Sequence, residues 1–104
     1  MLGRLFGKLL GSPQRSTTDY RRLVREREAL AAQAPGGSRA RPIDVGTASV
    51  IEVRANQTPC PQCAGELRVR THEAPAPKLR RIDVQCRQCC VARSLWFRLV
   101  PAEN

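Results

Sequence analysis

Two Cys-x-x-Cys pairs, Cys60-Pro61-Gln62-Cys63 and Cys86-Arg87-Gln88-Cys89, constrain this chain more than any other feature it contains. One such turn aims both of its sulfurs at a point, and a second turn from a distant part of the chain completes a tetrahedron of thiolates. The ion such sites most often hold is zinc, at about 2.3 Å per Zn–S bond. Cys60, Cys63, Cys86 and Cys89 are therefore expected to ligate one structural Zn2+. Iron on the same four sulfurs stays open, because a four-sulfur site accepts either metal. A redox dithiol fits poorly, since that chemistry uses one pair in a βαβ setting. Around the pairs, 66–73, 79–86 and 91–100 read as short strands, so each pair sits at a turn of a small antiparallel sheet.

The run Cys60-Pro61-Gln62-Cys63-Ala64-Gly65, then a hairpin, then Cys86 to Cys89, resembles the zinc ribbons, with knuckles of the kind also seen in rubredoxins. The resemblance covers roughly the last 45 residues. It implies a fold and a metal and no single activity, because zinc ribbons serve in transcription factors, ribosomal proteins, enzyme appendages and docking modules. Such knuckles often carry glycine just after the second cysteine, where the backbone takes a positive φ. Here Cys90 stands in that place.

With 104 residues the chain holds one small domain and its appendages. A ribbon of this size buries little apolar surface, so metal binding, about 10–16 kcal/mol in small zinc-finger peptides, is expected to carry its folding. Five cysteines, four of them in metal spacing, fit a reducing compartment better than a disulfide framework. No apolar run approaches the roughly 20 residues of a membrane span, so a cytoplasmic protein is expected. Sixteen arginines against two lysines point to a GC-rich bacterial genome.

The formal net charge is +9, and its distribution matters more than its size. Residues 1–42 hold nine basic and three acidic groups, whereas residues 57–104 hold eight and four. Four thiolates around a divalent ion add −2 to the second region. The cationic end is thus the N-terminal third, read as residues 1–34 with two helices, followed by a linker at 35–42 and the ribbon domain at 43–104. Leu2, Leu5, Phe6, Leu9 and Leu10 fall on one arc of a short cationic helix suited to a partner groove or an anionic membrane surface. A second helix is expected from 16–19 to just before Pro35-Gly36-Gly37. Its apolar stripe is Tyr20, Leu23, Val24, Leu30, Ala31 and Ala34, with Arg27 in the middle and Arg21, Arg22 and Arg25 behind. The Pro- and Gly-rich segment 35–42 would tether these helices flexibly. Ile43–Val45 and Val50–Val53 read as an extra strand or hairpin, and the prolines of 74–78 as a loop held out of the sheet.

The fold expected is therefore a small α+β zinc ribbon: a three-stranded antiparallel sheet with a preceding β element and an N-terminal helical arm. On the last of the three strands, Leu95, Phe97 and Leu99 are expected to face the core and Trp96 the other side. Trp96 is then either covered by a neighbouring element or exposed for stacking. Cys90 reads as a small, partly buried neighbour of a ligand, with the sharper alternative of a substitute ligand or reactive thiol whose thiolate Arg87 and Arg93 would favour. His72 reads as an exposed strand residue. One histidine and no Ser/His/Asp set or phosphate loop argue for a non-enzymatic module with no small-molecule substrate. Its expected partner is nucleic acid, through Arg21, Arg22, Arg25, Arg68, Arg70, Arg80, Arg81 and Trp96. The alternative is a protein-interaction adaptor anchored by its first helix to a partner or to the inner membrane surface.

Overall fold

The structure is a computed structural model that describes residues 12–100, so the amphipathic segment Leu2 to Leu10 lies outside the described residues. Helix α1 (Ser12–Gln33) is followed by strand β1 (Ile43–Val45), a 3-10 turn (Ala48–Val50), helix α2 (Ile51–Gln57) and strands β2 (Leu67–Ala76), β3 (Leu79–Cys86) and β4 (Ala92–Leu99). The strands form one mixed sheet in the order β1-β4-β3-β2. The expected antiparallel trio is present as β2, β3 and β4. The expected preceding β element shrinks to three residues, and it joins the free edge of β4 in parallel, pairing Ile43 with Phe97 and Val45 with Leu99.

Three expectations are corrected. Val50–Val53 is helical rather than extended, because Ile51 and Ala55, four residues apart on one helix face, both bury completely against the sheet. Burial of that pair outweighs the β propensity of Val50 and Val53, which stay exposed. Thr58 then leaves the helix in an extended conformation, as a residue before proline must. Second, α1 already includes Ser12 and Pro13, where a start at 16–19 was expected. Third, β2 runs on through Pro75 to Ala76, and a register shift between Glu73 and Ala76 takes up the proline. An edge strand tolerates this, since its outer N–H groups need no partner strand.

One face of the sheet carries the core: Leu67, Ile82, Val84, Cys86, Leu95 and Phe97, closed by Val45, Ile51, Ala55 and Cys60. The other face is polar. Asp83 lies at its centre, accepting from the hydroxyls of Thr71 and Ser94 at 2.7 Å each. The bond from Ser94, then that from Thr71, aided by Arg81, hold its carboxyl below the usual aspartate range in spite of partial desolvation. Segment 35–42 is tied to the sheet edge: Gly36 is buried with φ +81°, its carbonyl accepts from the Trp96 N–H at 2.9 Å, and its own N–H donates to the Arg41 carbonyl. A Cβ at position 36 would lie 2.7 Å from Ile43 Cδ1. Glycine is required there twice, by conformation and by space. Among the described residues no helix is long and apolar enough to cross a membrane.

Candidate metal centre

The two Cys-x-x-Cys turns are built alike. Each is entered by a first cysteine whose N–H bonds to the residue five positions on, Cys60 to the Gly65 carbonyl and Cys86 to the Val91 carbonyl, both at 2.9 Å. Each closes with the N–H of the residue after the second cysteine on the carbonyl of the first: Ala64 to Cys60 at 2.7 Å and Cys90 to Cys86 at 3.1 Å. Those closing residues have φ +62° and +66°. The left-handed position anticipated after the second cysteine is therefore real, and both knuckles fill it without glycine. Gly65 serves a different need. A Cβ there would lie 3.1 Å from the sulfurs of both Cys63 and Cys86, so the glycine lets one knuckle close over the other.

This arrangement brings the four sulfurs within 4.8 Å of one another. Cys63 and Cys86 approach to 3.4 Å, and Cys60 and Cys89 to 3.7 Å. The sulfur–sulfur edge of a regular ZnS4 tetrahedron is about 3.8 Å, from the 2.3 Å bond, so these four atoms already lie near ligand spacing for one ion. Cys60 and Cys86 are buried, Cys63 is half-buried and Cys89 is exposed. Backbone N–H groups point at the sulfurs: Gln62 at Cys60, Gly65 at Cys63, Gln88 and Cys89 at Cys86, all between 3.3 and 3.4 Å.

The surroundings move the thiols of Cys86 and Cys89 in opposite directions. The N–H of Cys89, helped by that of Gln88 and opposed by desolvation, brings the Cys86 thiol down to about 6. At Cys89 the Val91 N–H works in the same direction, but desolvation and the proximity of Cys63, Cys86 and Cys60 push that thiol up to about 12. A cation at the centre reverses this balance and lets every ligand be thiolate. The donor set thus fits a soft or borderline divalent ion, and it fills four coordination positions with sulfur.

No family model, curated protein or solved structure matches the chain. The site therefore rests on its own geometry.

The remaining expected site residues are not brought to one place. Arg21, Arg22 and Arg25 are exposed on α1, and Arg22 pairs with Asp19 at 3.5 Å. Arg68 and Arg70 are exposed on β2. Arg81 is engaged by Glu73 and Asp83, and Arg80 donates toward His72 Nε2 at 3.3 Å. His72 is half-buried rather than exposed, with Nδ1 3.0 Å from Glu52. Trp96 is half-buried, its ring under the Arg39 guanidinium at 5.8 Å from the centroid. It lines a groove of about 670 Å3 with Leu30, Ala31, Pro59, Pro61 and Leu95. Cys90, expected to be partly buried, is exposed, at a position of positive φ.

The helix meets the sheet in a way the stripe of apolar residues did not foretell. Tyr20, Leu23 and Leu30 stay exposed, at 64, 40 and 67 %. The contacts are polar. Arg27 Nη1 donates to the Gln62 carbonyl at 2.7 Å, and Gln62 Nε2 donates to the Val24 carbonyl and to Glu28. Glu28 also receives Arg93, whose side chain is only 9 % exposed, at 2.6 Å. That hydrogen bond, with a second from Gln62, holds the Glu28 carboxyl below its ordinary value although desolvation opposes it. Arg27 in the middle of the stripe was the sequence signal for this, since a cation among apolar positions implies a buried acceptor.

Proposed function

We propose that the chain is a non-enzymatic binding module of the zinc-ribbon kind, in which Cys60, Cys63, Cys86 and Cys89 hold one structural Zn2+. The observation that carries this reading is the meeting of four sulfurs, from two knuckles of matching hydrogen-bond pattern, within 4.8 Å. Four sulfur ligands saturate tetrahedral zinc and leave no position for a water or substrate, which favours a shaping role over a catalytic one. The strands and Leu67, Ile82, Val84 and Phe97 form a core too small to be held by burial alone, so the ion is assigned the larger share of stability.

Nucleic acid is the partner we propose for the module. Arg21 and Arg25 on α1 and Arg68 and Arg70 on β2 are exposed and have no ion-pair partner among the described residues, which suits them to binding phosphates. Arg81 is paired with Glu73 and Asp83 and drops out of that set. The test is titration of zinc-loaded protein with single- and double-stranded oligonucleotides over a range of salt. Binding with a steep negative slope of log K on log salt supports the reading, provided that Arg21→Gln/Arg25→Gln flattens the slope by up to about 0.9 for each phosphate it no longer neutralises. A wild-type slope near zero refutes it. A second reading, a protein-docking adaptor, draws on the apolar groove lined by Leu30, Pro59, Pro61, Leu95 and Trp96 and on the exposed Leu23 and Tyr20. Salt-insensitive capture of a protein partner that Leu30→Glu abolishes would select it.

A further inference from the structure

The two knuckles are near-copies, yet α1 touches only one of them. Gln62 and Gln88 occupy the same position in their turns, each the third residue of Cys-x-x-Cys, each with its N–H on the first cysteine's sulfur. Gln88 is exposed and bonds to nothing on α1 among the described residues. Gln62 instead receives Arg27 on its carbonyl and donates its side-chain amide to the Val24 carbonyl and to Glu28. Its Oε1 and the Nε of Arg93 are buried without a partner, which places two further polar groups at the same junction.

Resting on the metal reading above, we infer that Gln62 couples occupancy of the metal site to docking of α1. The knuckle carbonyl that accepts Arg27 is fixed by the turn between two ligands, and that turn is fixed by the convergence of four sulfurs. Without a bound cation the first knuckle keeps only its own backbone hydrogen bonds and loses the ligand bonds that would tie it to the second, so the acceptor for Arg27 is less firmly placed. Little else holds the helix: the apolar side chains Tyr20, Leu23 and Leu30 face solvent, and a groove of about 670 Å3 separates the C-terminal half of α1 from β4 and the first knuckle. Besides Gln62, the side-chain bonds between α1 and the rest of the described chain are those of Glu28 with Arg93 and of the Gln33 carbonyl with Arg41. Metal uptake thereby latches an arginine-rich helix, and metal loss frees it. Linkage is reciprocal: a latch that metal stabilises must itself raise metal affinity by the same factor.

The experiment uses the full chain as wild type, Arg27→Ala, Gln62→Ala and the control Gln88→Ala. Zinc content, zinc dissociation constant by chelator competition, and amide hydrogen exchange over residues 24–33 and 82–97 are measured on each. Arg27→Ala and Gln62→Ala are expected to keep one zinc and the protection of 82–97, to lose protection over 24–33, and to raise the zinc dissociation constant at least about fivefold. Gln88→Ala is expected to match wild type in every readout. Unchanged protection over 24–33 in both latch variants overturns the inference, as does helix release with an unchanged zinc constant. A wild-type protein that takes up no zinc overturns the reading of the site itself. One that takes up zinc and shows neither effect overturns the coupling alone.

Discussion

Gly65→Ala is the smallest change that should damage the metal centre without touching a ligand. The backbone at this position is outside the left-handed region, so alanine meets no conformational barrier, and the effect is one of space. The added Cβ would lie 3.1 Å from the sulfurs of Cys63 and Cys86 and 3.0 Å from Gln88 Cβ. Carbon–carbon contacts settle at about 3.5–4.0 Å and sulfur is the larger atom, so roughly half an ångström of overlap must be relieved in three directions at once. The sulfurs are the least able to yield, since a ligand displaced by that amount loses its bond geometry. Overpacking of this kind costs about 1–3 kcal/mol. If it falls on the metal-bound state, the zinc dissociation constant rises roughly 5- to 150-fold, at about 1.4 kcal/mol per decade. Competition against a chromophoric chelator measures this directly. Gly46→Ala is the control, because a Cβ there meets nothing within 4 Å. A Gly65→Ala protein whose zinc constant stays within about twofold of wild type, well short of the smallest overpacking penalty, would refute the claim that the knuckles close over this residue.

Two further outcomes follow from the same geometry. Cys90 is exposed with φ +66°, so Cys90→Gly should keep the metal and raise the midpoint of thermal unfolding, relieving a cost of about 1–2 kcal/mol for a left-handed non-glycine residue; a lowered midpoint or lost zinc would count against it. Glu28 and Asp83 both have carboxyls held below their ordinary values of 4.5 and 3.8, by Arg93 and by Ser94 respectively. A depressed carboxyl contributes stability that is present above its unfolded value and lost as pH falls through its folded one, so neither group weakens the fold between about pH 7 and 5. Zinc released in that interval, followed by a chromophoric chelator, should therefore owe nothing to these two carboxyls, and Asp83→Asn, whose partners Thr71 and Ser94 lie outside the α1 junction, should leave the midpoint of release in its pH profile unshifted; a shifted midpoint would contradict this.

The four-cysteine cluster and the three-stranded core were legible in the sequence because each depends on local patterns. Cys-x-x-Cys encodes a turn, and Leu95, Phe97 and Leu99 alternate as a half-buried strand must. What the sequence hid was decided by tertiary contacts. Val50 and Val53 favour a strand in isolation, and only the sheet beneath Ile51 and Ala55 makes a short helix preferable. The parallel pairing of β1 with β4 joins residues 43–45 to 97–99, with no local signal for the direction. The helix stripe was legible as a pattern and misleading as a contact: Tyr20 and Leu30 remain exposed, while Arg27 and Glu28 make the junction. Gln62 carried one visible clue, its recurrence as Gln88, but which of the two would meet α1 depended on where the helix lies against the sheet. The positive φ at Cys90 was legible from its place after the second cysteine, whereas its exposure was not.

Four cysteines and no other residue should ligate one ion, and everything proposed above for this chain depends on that. X-ray absorption at the zinc edge, on full-length protein purified with its native metal and quantified by elemental analysis, tests it most directly. The prediction is one zinc per chain with four sulfurs at about 2.3 Å and no nitrogen or oxygen neighbour, unchanged in Cys90→Ser and lost in Cys86→Ser. Iron in place of zinc, a first shell containing nitrogen or oxygen, or full zinc retention in Cys86→Ser would contradict it.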